Sequence, residues 1–172
     1  MSDKIHVMGE IEEYTVCTGG GLSSRLNRLP TGELAVIVRD IPNHATAFGG
    51  LDLYVSHDGG IHWVKRSDLP DFLPDKGCGG GAFGVLTDGT LVVTVSKFDH
   101  RTRPREFYPY FTRSTDGGRT WEGLQLLAII PEGMDRAVTW GRILQQSNGT
   151  ALLGFYAWRN GEEQTKNSAY LL

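Results

Sequence analysis

Ser114-Thr115-Asp116-Gly117-Gly118-Arg119-Thr120-Trp121 is the stretch that decides the fold, because the chain writes it twice. Ser56-His57-Asp58-Gly59-Gly60-Ile61-His62-Trp63 carries the same S-x-D-G-G-x-x-W pattern 58 residues earlier. Each fixed letter has a physical use. The aspartate carboxylate can accept bonds from the backbone N–H groups that follow it and close a tight turn. Glycine supplies the positive φ that such a turn demands. The serine hydroxyl is placed for a local side-chain bond, and the tryptophan re-enters the next strand with its ring over the turn. Two copies at a fixed spacing indicate a repeat protein of antiparallel β-units.

The repeat extends beyond the turn. Runs with a central glycine precede each copy, Ser24 to Leu34 and Gly81 to Leu91, and a third runs from Gly141 to Leu152. Their turn glycines, Gly32, Gly89 and Gly149, are 57 and 60 residues apart. Within a unit the alternating and apolar runs predict four strands: 24–29, 34–39, 51–55 and 63–69 in the first. The second gives 80–86, 90–96, 107–113 and 120–129, and the third 139–146, 150–157 and 167–172. Residues 4–16 belong to no unit and are expected to supply a further, outer strand. No stretch of helical period competes. The expected class is all-β, with units at about 23–69, 80–129 and 139–172.

These turns, at this spacing, resemble the Asp-box (bacterial neuraminidase) repeats of the sialidase superfamily. The resemblance covers about residues 20 to 172 and rests on Ser56, Asp58, Gly60 and Trp63 and on Ser114, Asp116, Gly118 and Trp121. It implies a six-bladed β-propeller of which this chain holds three four-stranded antiparallel blades. It also assigns the boxes a structural role, away from the active face. Propellers use about four to eight blades, so a lone half-ring would leave sheet faces open to water. The chain is then a piece of a longer propeller, a half-ring completed by a second copy about a two-fold axis, or an open stack. The strand tally favours the homodimer.

Composition narrows the partners. A net charge of −3 gives no reason to expect nucleic acid or an anionic membrane surface. No apolar run is long enough to span a bilayer, and Met1-Ser2-Asp3-Lys4 does not read as a secretory leader, so a cytoplasmic protein is expected. Cys17 and Cys78, both near glycine-rich turns, are expected as free thiols. No Cys or His pair has zinc-ligand spacing, and neither metal nor cofactor is expected.

Chemistry is expected at the mouth of the ring, where inner strands begin and the loops between second and third strands open. Seven residues before each turn glycine stand Arg25, Ala82 and Arg142. A guanidinium suits carboxylate recognition because its planar fork donates two parallel bonds. Arg25 in Arg25-Leu26-Asn27-Arg28-Leu29-Pro30 resembles the sialidase Arg-Ile-Pro motif, loosely, since the proline comes late. The resemblance implies that Arg25 and Arg39 join a clamp on the substrate carboxylate, and that Asp40 is the acid/base, its pKa raised by burial. The competing reading of Asp40 is a turn cap beside Pro42. His44 is a second candidate in the same loop, and Trp158 could stack on a sugar ring. The family's tyrosine nucleophile and its glutamate come from later blades, and Tyr108, Tyr110 and Tyr156 match no such motif. The expected function is that of a sialidase-like carbohydrate-active protein, or a fragment of an exo-sialidase, that recognises sialic acid or another acidic glycan. The alternative is a non-catalytic propeller scaffold for protein or glycan binding.

Overall fold

Ala35-Val36-Ile37-Val38 is a β-branched, apolar run, and it forms the best-covered strand of the first sheet. The computed structural model describes residues 12–20, 25–40, 49–70, 77–79, 81–98, 107–159 and 168–171. Strands β1 (Arg25–Arg28), β2 (Leu34–Arg39), β3 (Leu51–Ser56) and β4 (Val64–Asp68) make an antiparallel meander in chain order. The second meander is β6 (Ala82–Val85), β7 (Leu91–Phe98), β8 (Phe107–Ser114) and β9 (Gln125–Leu126). A short β5 (Gly77–Gly79) extends the edge of β7 that β6 occupies. The third comprises β10 (Arg136–Gln145), β11 (Ala151–Trp158) and β12 (Ser168–Leu171). The described strands are thus all-β and fall into three blades.

Two departures from the expected strands have local causes. The inner strand of the second blade is broken into β5 and β6, with a one-residue shift in register against β7. At the break, the Ala82 N–H donates to Thr94 Oγ1 at 2.7 Å. The outer strand expected over 120–129 shrinks to β9, because Trp121 is drawn across to the neighbouring blade, as shown below. Residues 12–16 form no strand, and residues 4–11 lie outside the described residues. Cys17 and Cys78 are free thiols, Cys78 buried.

Blade one packs on blade two through alternate residues. Ala35 and Ile37 of β2 and Leu51, Leu53 and Val55 of β3 meet Phe83, Leu91, Val93 and Val95. Burial of each large side chain contributes about 1.5–3 kcal/mol. Blade two packs on blade three through Ala82, Ile143 and Leu153, and a hydrogen bond of 2.7 Å joins the buried Thr94 and Thr139 hydroxyls. There the inner strands also pair directly, β6 running parallel to β10 with Gly141 opposite Ala82 and Arg142 opposite Phe83.

The two eight-residue turns share a frame but differ in reach. In the first, Ser56 Oγ donates to Asp58 Oδ1 and accepts from the Gly60 N–H, both at 2.8 Å. The His62 N–H donates to Asp58 Oδ1 at 2.9 Å. In the second, Asp116 accepts from the N–H groups of Arg119 and Thr120 and from the Thr120 hydroxyl at 2.6 Å. These donors hold both carboxyls well below the usual carboxylate range, the His62 N–H acting most on Asp58 and the Thr120 hydroxyl most on Asp116.

Trp63 stays within its own turn, its Nε1–H donating to Gly60 O at 2.8 Å. In the second turn a hydroxyl from β4 is inserted into the same bond. Trp121 Nε1–H donates to Ser67 Oγ at 2.9 Å, and Ser67 Oγ–H donates to Gly118 O at 2.6 Å. Arg66, beside it, donates to Gly117 O at 2.9 Å and pairs with Glu33. That guanidinium, helped by the Thr31 hydroxyl, lowers the Glu33 pKa to about 2. The second turn is therefore a clasp between blades one and two.

Candidate functional site

The strand ends gather the candidate side chains at one end of the blades. Arg25 opposes Ile37 in the ladder and Arg39 follows Ile37 by two residues, so both arginines lie on the face of blade one that meets blade two. Arg25 Nε donates to Gly81 O at 3.1 Å, and its guanidinium stacks on the Trp140 ring with Cζ 4.2 Å from the centroid. Burial alone lowers its pKa. Arg39 is only 2% exposed; burial lowers its pKa, with Cys78 and Asp40 acting the other way.

Arg142 reaches the same cluster from the third blade. Its Nη2 donates to Asn27 Oδ1 at 3.4 Å, while Asn27 Nδ2 donates to Phe83 O at 3.1 Å. The inner strands of all three blades are tied together here by polar side chains: Arg25 and Asn27 on β1, the Gly81 and Phe83 carbonyls at β6, and Trp140 and Arg142 on β10.

Other candidates fall elsewhere. Asp40 is exposed, and its Oδ1 accepts from the Gly50 N–H at 2.8 Å, closing the neck of the intervening loop. The buried setting expected of it is not there: the carboxylate at the end of β2 is exposed. The turn-capping alternative describes the contact it makes. His44 lies outside the described residues. Trp158 stands opposite Arg136 and stacks on Tyr156 at 5.6 Å, on the face of β11 turned away from blade two. It is not part of the Arg25–Trp140 cluster.

Two residues of the inner-strand cluster, Trp140 and Asn27, were not singled out from the sequence, nor was Arg136, which lies beside Trp158 and outside that cluster. Trp140 sits where the β10–β11 ladder skips from Thr139 to Ile143, with Gly141 at φ +90°. The Trp-Gly pair inside a strand run was the available sign of that bulge. Arg136 is nine-tenths buried at the start of β10, with Nη1 4.0 Å from an Asp135 oxygen. Among the described residues no three His, Cys, Asp or Glu side chains converge as a metal site would need.

With this geometry in view, comparison with known proteins gives the architecture. No protein-family model matches the sequence, and no curated protein does. Solved structures do match in shape. A Hadza microbial sialidase, Hz136, superposes over 88% of this chain with TM-score 0.68 at 18% identity. A Penicillium chrysogenum α-L-arabinanase, solved with arabinobiose, covers 92% with TM-score 0.59 at 19% identity. A Fusarium graminearum α-L-arabinofuranosidase covers 89% with TM-score 0.59 at 20% identity. The chain has a β-propeller fold. Its three blades span 35% of the sialidase chain and 46% of the arabinanase chain, consistent with a half-ring.

Proposed function

We propose that this half-propeller is a carbohydrate-recognising unit of sialidase type, which takes acidic sugars through arginines at the inner strands. The observation that carries the reading is the meeting of Arg25 and Arg142, from the first and third blades, around Asn27 and Trp140. Guanidinium groups beside an indole suit a ligand with both a carboxylate and an apolar ring face. The similar propellers that are a sialidase and arabinan-degrading enzymes support a sugar as the ligand. Arg39 extends the cationic lining along the same face. The non-catalytic alternative draws support from Asp40, which is exposed and engaged as a loop clip.

Calorimetric titration with sialyllactose, lactose and arabinobiose tests the assignment. Sialyllactose is expected to bind in preference to the two neutral sugars. Arg25→Ala should weaken it by about 1–3 kcal/mol, the loss expected for a charge-assisted bond. Equal binding of lactose, or no response to Arg25→Ala, would overturn recognition through this arginine. The same reading includes ring closure by a second copy. Light scattering is then expected to give twice the 18.9 kDa chain mass, and a monomer at micromolar concentration would sink the dimer.

A further inference from the structure

Lys97 and Cys78 are buried, chemically active groups that the inner-strand cluster leaves unused, each only 2% exposed. They stand opposite each other where β5 pairs with β7, so their side chains share one face. That face is turned to blade one. Val93 and Val95, which alternate with Lys97 along β7, join Cys78 in the core shared with Leu51 and Leu53. Arg39 arrives from β2 on the same side, two residues beyond the core residue Ile37. Its guanidinium and Cys78 are close enough to interact, and the charge of each favours the charge of the other.

A thiol in an apolar core stays protonated and inert. Here the packing of blade one on blade two puts two cations around the sulfur, and a cation beside sulfur stabilises the thiolate. Among the described residues, the other titratable groups at this end of the interface are Tyr108 and Tyr110 of β8, opposite Lys97 and Val95, and Asp40. The Gly50 N–H holds the Asp40 carboxylate at the neck of its loop. The thiol is also within reach of a small molecule. Cys78 and Lys97 line a crevice between the blades, with Gly50, Leu51, Leu69 and Leu124. Its cavity is about 10 Å³, room for one water-sized molecule. Hydrogen peroxide has that size, and alkylating reagents do not.

We propose that Cys78 is a modification site for hydrogen peroxide, a thiol held between Lys97 and Arg39 in a crevice that admits only a molecule of that size. The thiolate sulfur attacks one peroxide oxygen. The S–O bond forms, the O–O bond breaks, and sulfur gives up two electrons to the peroxide. The departing hydroxide takes the proton that the thiol released, so thiol and peroxide become sulfenic acid and water. Lys97 stabilises first the thiolate and then the oxidised sulfur. The site goes beyond the carbohydrate reading and shares only Arg39 with it.

Cys17, which is less buried, is the internal control, because the chain has two cysteines. The folded protein is treated at pH 6, 7 and 8 with hydrogen peroxide or, separately, with N-ethylmaleimide. Dimedone added on unfolding captures sulfenic acid, and peptide mass spectrometry reads each cysteine. Peroxide is expected to oxidise Cys78 at a rate that changes less than about twofold over this range, whereas an ordinary thiol speeds up about tenfold per pH unit. Maleimide is expected to label Cys17 and spare Cys78. Lys97→Arg should keep the flat profile, and Lys97→Met should slow oxidation at pH 6 about tenfold and make the profile steep. Unchanged tryptophan fluorescence shows that each variant is folded, and the wild-type profile decides the matter without them. A Cys78 that peroxide leaves intact, or one oxidised about tenfold faster per pH unit, would overturn the site. Labelling of Cys78 by maleimide in the folded chain would overturn the selection by size. Sugar titrations are read separately, so failure here leaves the carbohydrate reading standing.

Discussion

Gly81→Ala is expected to destabilise the protein by about 3–4 kcal/mol, near the upper end for a single added methyl group. A Cβ at Gly81 would lie 1.7 Å from Thr94 O and 2.9 Å from Thr94 Oγ1. The first of these is backbone, so no side-chain rotation relieves it; β6 and β7 would have to part. That movement would break the Ala82 N–H bond to Thr94 Oγ1 and disturb the Thr94–Thr139 bond behind it. It would also shift the carbonyl that anchors Arg25, so the Trp140 environment should change with stability. Gly32→Ala is the contrast. There φ is +91° with nothing within 4 Å, and the cost is conformational only, about 1 kcal/mol. Urea unfolding of both variants separates the two effects. Equal losses would mean that the close approach of β6 to β7 is not what fixes Gly81.

Asp116→Ala should cost about 2–4 kcal/mol, since its carboxylate accepts from two backbone N–H groups and two hydroxyls at the edge of solvent. For a chain of this size that corresponds to a fall in Tm on the order of 5–15 °C. The loss is large because the turn it shapes also clasps two blades, through Arg66 to Gly117 O, Ser67 to Gly118 O and Trp121 to Ser67. Gly118 adds to the fit, as a Cβ there would lie 2.1 Å from Leu53 Cδ2 in the core. Asp58→Ala should cost less, because the contacts of the first turn stay within blade one, the His57 pairing with Glu33 included. The pH dependence follows from the same bonds. The Asp116 pKa is depressed in the folded chain, so its stabilisation is present above its unfolded pKa, about 4, and is lost as pH falls toward the folded value. Wild type should lose stability over that acid range more steeply than Asp116→Ala. Parallel acid titrations of the two, followed by tryptophan fluorescence, would remove Asp116 from the account.

The repeat was legible because its letters are local. Asp116 meets its partners within four residues and Gly117 supplies its own positive φ, so the turn can be read wherever the motif stands. The second strands were legible for a similar reason, since Ala35 to Val38 and Leu91 to Val95 are apolar runs bounded by turn glycines. Site residues were harder. Arg25 and Arg142, candidates chosen by their register against the turn glycines, both join the inner-strand cluster. Asp40 was placed at a strand end, but burial of a carboxylate there is decided by packing between elements rather than by sequence neighbours, and it is exposed. Trp140 was passed over because a bulge reverses the alternation that separates inside from outside along a strand.

What the sequence determined by itself is the period, the turns, the strand type and the positions of the arginines within each unit. All of these depend on neighbours a few residues away, where backbone preference and side-chain reach suffice. Only the tertiary structure decided that the second turn clasps blade one while the first keeps its contacts within its own blade, since Ser67 and Trp121 are 54 residues apart. It also decided that Arg25 of the first blade lies on Trp140 of the third, a contact made across β6 by the packing of whole sheets. Such meetings depend on the rotation of one blade against the next, which is set by the close approach of side chains and glycines from every blade at once.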